Sequence, residues 1–157
     1  MSFELFMNNI IFTQTGVDNL KKEQEALKIE RKAAVLDLKK ARDMGDLSEN
    51  GYYKAAKFKL IAIDRRIRMV DHLLKSAIIP AVVVKNTIDI GCTVTIHDGK
   101  DAKKYLLVGG YESNPSEGKL SVISPIGRSL IGKKGGDSIT ISSPAGEKIF
   151  KIIEFSY

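Results

Sequence analysis

Apolar positions in the first half of the chain recur in alternating steps of three and four. From Val17 the series Val17, Leu20, Gln24, Leu27, Arg31, Ala34, Leu38, Ala41 keeps that rhythm, and six of its eight members are apolar. After a short break it resumes as Tyr53, Ala56, Leu60, Ile63, Ile67, Val70, Leu74, Ala77, all apolar or aromatic. Sustained spacing of this kind marks a coiled-coil seam. Thr13 and Thr15 are both suited to cap the first helix, Thr15 with Asp18 three residues on in a capping-box pattern. Pro80 limits the second helix. Gln24 and Arg31 interrupt the first seam; they face a small neighbour or water, or fix the register, and are assigned no ligand. Two such helices with a short connection form an antiparallel hairpin. Each arm of roughly 28 residues reaches about 40 Å at ~1.5 Å per residue.

From Ile79 the period changes. "AVVV", "CTVTIHD", "KKYLLVGG", "KLSVISP", "DSITISS" and "EKIFKIIEF" are short, β-branched-rich runs parted by Gly, Asn, Pro and Asp. That is the signature of an antiparallel sheet. "SPIGRSLIG", residues 124–132, reads as a helix of a turn or two, with Ser124 as N-cap, Pro125 in the first helical position and Gly132 near the end. The expected fold is therefore α+β. An N-terminal antiparallel coiled-coil hairpin over 1–78, with an acidic tip at 44–51, precedes a small antiparallel β-rich domain with one short helix over 79–157.

The chain has 157 residues, enough for one ordinary domain or two small ones. No stretch approaches the ~18 apolar residues of a membrane span, and the N-terminus makes a poor signal peptide. One cysteine, Cys92, excludes an internal disulfide framework and fits a reducing cytoplasm; with only His72 and His97 beside it, a zinc site is not expected. The net charge of +6 suggests an acidic or nucleic-acid-containing partner, although a modest lysine excess is also common on solvated surfaces. Neither half is a polybasic arm: residues 1–77 hold 15 basic and 11 acidic side chains, and residues 78–157 hold 10 and 8.

Two motifs compete for chemistry. "GRSLIGKK", residues 127–134, almost fits a phosphate-binding loop, but its last position is Lys134, which has no hydroxyl for magnesium. The segment also runs into a turn and strand where that motif needs a helix, so nucleotide binding is set aside. "MGDLSENGYY", residues 44–53, is the better candidate, because a plain helix–helix turn does not need Asp46 and Glu49 at its apex. Two carboxylates three residues apart can hold Mg²⁺ through one or two oxygens. Alone they make a weak site, since Mg²⁺ takes six oxygens and sheds water reluctantly. The rest of the shell has to come from a partner that already owns carboxylates.

Four separated pieces carry a family resemblance: "TQTGVDNLKKE", "ARDMGDLSENGYYKAAK", "SPIGRSLIGKKGGD" and the closing "FKIIEFSY". With these in order from about Phe12 to Tyr157, the chain resembles the bacterial Gre transcript-cleavage factors, and is GreA-like. The resemblance implies a factor that binds RNA polymerase once it has slipped backward and extruded the RNA 3′ end. The β-rich domain, immunophilin-like in that family, docks at the mouth of the polymerase's secondary channel, and the coiled coil carries its tip to the polymerase active site. Asp46 and Glu49 stand where the family's acids help hold the second catalytic Mg²⁺ and orient the attacking water. The chemistry implied is two-metal phosphodiester hydrolysis, completed by the polymerase's own carboxylates. The chain is thus not an enzyme by itself and holds no cofactor alone.

The family's serine–proline loop, which contacts the polymerase rim, matches Ser124 and Pro125, with Arg128 nearby. Basic residues flank the tip: Lys39, Lys40, Arg42, Lys54, Lys57 and Lys59. Arg42, Lys54 and above all Lys57 are candidates to offset phosphate charge on extruded RNA. Where the family commonly has Ala-Glu-Tyr after Glu-Asn, this chain has Gly51, Tyr52 and Tyr53, and "KFKL", residues 57–60, is more apolar and basic than usual. The expectation is a cytoplasmic protein, monomeric when free, with polymerase and the nascent RNA 3′ end as partners and no membrane. Three alternatives stay open: a secondary-channel regulator or inhibitor that does not cleave, a prolyl isomerase suggested by fold analogy alone, and a coiled-coil adaptor.

Overall fold

The computed structural model describes residues 10–44, 50–81, 86–143 and 146–157. They form two compact units. One is Val17–Ser76; the other combines residues 10–16 with Ala77–Tyr157.

The first unit is a pair of long helices. α1 covers Gln14–Asp43, its first three residues lying in the other unit, and α2 covers Gly51–Ser76. Their seam follows the expected rhythm. Val17, Leu20, Ala34 and Ala41 are buried on α1, and Ala56, Ile63 and Val70 on α2, which also buries Leu73, one position from the predicted stripe. Gln24 and Arg31 reach across the hairpin. Gln24 Nε2 donates to Asp71 Oδ1 at 2.6 Å, and Arg31 Nε donates to Asp64 Oδ1 at 2.6 Å. Arg66 adds a forked contact to Glu23, Nε to Oε1 at 2.6 Å and a terminal nitrogen to Oε2 at 2.9 Å. The Glu23 side-chain hydrogen bond raises the Arg66 pKa above its ordinary value, against some desolvation. As the α1 partner advances from Gln24 to Arg31, its α2 partner falls from Asp71 to Asp64, so the helices run antiparallel.

The second unit is built on a five-stranded sheet in the order β5-β4-β3-β7-β6, with β3 at Thr93–His97, β4 at Ala102–Val108, β5 at Lys119–Ser121, β6 at Ser138–Ser143 and β7 at Gly146–Ser156. Of the expected runs, residues 82–84 of "AVVV" lie outside the described residues. Strand β3 alternates cleanly, burying Val94 and Ile96 in a core with Ile88, Ile90, Cys92, Leu107, Leu120, Val122, Leu130, Ile139 and Ile152. The pairing is antiparallel except at one edge, where β5 runs parallel to β4. Two 3₁₀ turns at Gly110–Glu112 and Pro115–Glu117, with Gly118 in the left-handed region at φ +71°, reverse the chain first, so that Lys119 re-enters beside Leu106 in the same direction. α3, Pro125–Leu130, lies on the core side and buries Leu130.

A further strand pair ties the chain's two ends of the hairpin sequence into this unit. β1, Ile10–Ile11, runs parallel to β2, Ala77–Ile78, and Ile11 enters the sheet core. By compactness, residues 10–16 and 77–78 therefore go with the sheet, where division by chain position at 78/79 had put them with the hairpin. Glu112 fastens this segment. Its carboxylate accepts from Thr13 N at 2.7 Å, from the Thr13 hydroxyl and from Gly109 N at 3.2 Å, while Thr13 Oγ1 accepts from Gly16 N at 3.0 Å. Thr13, not Thr15, is thus the α1 N-cap. Gly109 permits the crossing, because a Cβ there would sit 1.8 Å from the Ile11 carbonyl oxygen.

Removing this carboxylate strands three donors, two of them backbone. Hydrogen bonds to a charged acceptor are worth roughly 1.5–3 kcal/mol each, partly offset here by water access. Glu112→Ala is expected to lose about 2–3 kcal/mol in denaturant unfolding, and Glu112→Gln less; an unchanged midpoint for both would contradict the clamp.

Candidate functional site

The candidate site begins with the two helix ends that bracket the tip. Asp46 and Glu49 lie outside the described residues, as do all of 45–49. α1 closes with the basic residues Lys40 and Arg42 in its last turn, where cations complement the carbonyl end of a helix. α2 opens on Asn50. Its side-chain oxygen accepts from Tyr53 N at 3.0 Å, its carbonyl accepts from Lys54 N at 3.2 Å, and its amide nitrogen donates to the Ala41 carbonyl at 2.9 Å. Asn50 is therefore both the N-cap of α2 and a tie to the last turns of α1. Sequence reading passed over it as part of the tip motif, although an asparagine three residues before the first seam aromatic is a capping signal.

The basic candidates fall on these ends. Arg42, Lys54 and Lys57 are exposed, as are Lys39, Lys40 and Lys59. From Gly51 to Ile63 α2 carries three lysines and no acid, so Asp46 and Glu49 are the only carboxylates in sequence between Asp43 and Asp64. The N-terminal end of α2 carries partial positive charge, which favours carboxylates in the segment leading into it. Among the described residues no group of three or more His, Cys, Asp or Glu side chains could hold a metal ion. Two carboxylates on the tip offer hard oxygen donors of the kind Mg²⁺ takes, but too few to fill its shell.

The second predicted cluster is in the sheet unit. Ser124 caps α3 as expected: its Oγ accepts from Gly127 N at 3.0 Å and donates to the Ser121 carbonyl at 2.7 Å. Pro125 occupies the first turn, and Pro125 and Arg128 are exposed. Gly127 is buried where a Cβ would lie 2.0 Å from the Ser121 carbonyl oxygen, so only glycine lets the helix seat there. Tyr111 and Ile123, both largely exposed, adjoin this loop through Gly110, whose Cβ would meet Ile123 Cδ1 at 2.9 Å. The structure adds these apolar neighbours, which sequence spacing did not reveal.

Asp98 in the β3–β4 turn is held below the usual carboxylate range by backbone donation from Asp101, then from Lys100.

The chain matches two family descriptions: "Transcription elongation factor, N-terminal" over residues 10–79 and "Transcription elongation factor, GreA/GreB, C-term" over residues 83–157. The chain belongs to the GreA/GreB family of transcription elongation factors. Transcription elongation factor GreA of Nitratiruptor sp. is 40% identical over 149 residues, 92% of this chain and 91% of its own. GreA of Lactococcus lactis subsp. lactis is 42% identical over 147 residues, 90% of this chain and 94% of its own. Among solved structures, the GreA factor homolog 1 protein of Thermus thermophilus aligns with 96% of this chain and 100% of its own at 23% identity, with a TM-score of 0.46.

One departure at the tip is open to test. A Cβ on Gly51 meets nothing within 4 Å, and Gly51 is not in the left-handed region. Gly51→Ala should therefore stabilise the start of α2 by roughly 0.5–1 kcal/mol, read as a rise in the thermal midpoint of the helical signal. A loss of stability would show that glycine is required there.

Proposed function

We propose that the chain binds bacterial RNA polymerase through its secondary channel and stimulates Mg²⁺-dependent cleavage of backtracked nascent RNA, rescuing arrested complexes. The observation that carries this reading is the acidic "GDLSEN" sequence between two long antiparallel helices, in a chain whose two halves both match the GreA/GreB family. At about 1.5 Å per residue, the 30 residues of α1 span on the order of 45 Å, a reach suited to a channel leading to a buried active site.

In this role Asp46 and Glu49 supply carboxylate oxygens to a Mg²⁺ shared with the polymerase, and one of them accepts a hydrogen bond from the attacking water to orient it. Bound Mg²⁺ supplies Lewis-acid stabilisation of phosphoryl oxygens and a more acidic water. Arg42, Lys54 and Lys57 offset phosphate charge on the extruded strand. Ser124, Pro125 and Arg128 meet the polymerase rim, with Ser124 shaping the loop through its cap. The chain acts as a factor and the polymerase as the enzyme, in the cytoplasm.

A second reading keeps the same binding mode without cleavage; the half-exposed Tyr52, a bulky group three positions after Glu49 in sequence, favours it.

Backtracked elongation complexes with Mg²⁺ separate the two. The wild-type chain should release short 3′ RNA fragments, and Asp46→Ala, Glu49→Ala should bind polymerase equally well while cleaving on the order of 100-fold more slowly or less. Binding by both proteins with cleavage by neither establishes the regulator instead.

A further inference from the structure

We infer that Phe58 is a stacking platform for a base of single-stranded RNA, positioned beside the tip; this rests on the reading of the chain as a transcript-cleavage factor. Phe58 is 70% exposed, on the solvent face of α2 away from its seam. Its neighbours one turn away on that face are Lys54 and Ala55 before it and Ile61 and Ala62 after it, all exposed. Two of the four are alanines, so the ring stands over low ground and a planar group can approach it. Lys54 lies one turn before it, Lys57 and Lys59 flank it in sequence, and no acid occurs from Gly51 to Ile63.

An exposed aromatic with lysines and no acid along its own stretch of helix, Gly51 to Ile63, has the chemistry of single-strand recognition. Lysines track the phosphates, while an unstacked base covers the ring, a combination tolerant of sequence. A helical protein partner would instead be expected to meet a continuous apolar stripe. Here Arg65, also exposed, interrupts the line from Phe58 and Ala62 to Met69. The position also fits. Phe58 lies seven residues into α2, about 10 Å along the helix from its start, where RNA leaving an active site at the tip passes first.

Phe58 is thus a positioning residue, holding the strand while Asp46 and Glu49 act. Stacking on an aromatic side chain contributes affinity worth roughly 5- to 100-fold per base.

The test uses full-length chain in backtracked complexes carrying 4-thiouridine in the extruded RNA, with factor at saturation. Phe58→Ala and Phe58→Leu should each lower the cleavage rate at least fivefold and deplete photocross-links to α2. Phe58→Trp should keep both within twofold of wild type, and polymerase affinity by competition should be unchanged in all three. Full activity and cross-linking in Phe58→Leu overturn stacking. A loss that appears only in polymerase affinity overturns it in favour of a protein contact. If wild type binds but does not cleave, the cleavage reading fails alone, and the cross-link series still decides Phe58. Phe58 is exposed and outside the core, and far-ultraviolet circular dichroism of each variant checks that it folds.

Discussion

The register of the hairpin rests on two polar pairs placed one heptad apart on both helices, Gln24 with Asp71 and Arg31 with Asp64. An apolar seam with a repeat of seven is nearly degenerate to a slip of seven, because each layer resembles the next. The polar pairs remove that degeneracy. A slip one way sets Arg31 against Lys57, and a slip the other way sets Leu38 against Asp64. Each pair is partly exposed and worth no more than about 1 kcal/mol, so the gain is in specificity more than in stability. Both pairs have their sequence midpoint between Leu47 and Ser48, which centres the connection on the segment holding Asp46 and Glu49. Gln24 and Arg31 thereby fix which stretch of sequence connects the two helices.

The seam was legible because burial repeats locally, every three or four residues, and the same holds for the alternation in β3 and the Ser124–Pro125 start of α3. What escaped was nonlocal. Ile10 and Ile11 are too few to read as a strand; they become one only because Ala77 and Ile78 return alongside. Glu112 reads as one more surface acid until Thr13 is brought to it across 99 residues. The parallel β4–β5 edge depends on a connection with no periodicity. At the candidate site, Asp46 and Glu49 rest on their motif and spacing alone, while Asn50, inside the same motif, takes its role from the Ala41 carbonyl across the hairpin.

Backbone proximity governs the sheet unit as register governs the hairpin. Gly109 lies under the Ile11 carbonyl and Gly127 against the Ser121 carbonyl, so the segment leading into α1 and the α3 helix both seat on main chain. The Ser124 hydroxyl is spent on the Gly127 amide and the Ser121 carbonyl. In the proposed docking, the serine therefore contributes loop shape, and the outward contacts fall to Pro125, Arg128 and the neighbouring Ile123 and Tyr111.

In the proposed function, the charge around the tip would make the factor conditional. Lys40 and Arg42 close α1, Lys54 and Lys57 follow the start of α2, and all four are exposed cations within about two turns of the connection. A divalent cation approaching Asp46 and Glu49 in the free chain meets these like charges, and two carboxylates leave most of its shell to water. In a site already holding carboxylates and RNA phosphates the balance reverses. The basic residues are then neutralised by phosphate, and the tip adds only the missing oxygens. In the proposed function the same cations would weaken metal binding by the free tip and strengthen its hold on RNA, so that the metal site would be complete only where substrate and partner are both present.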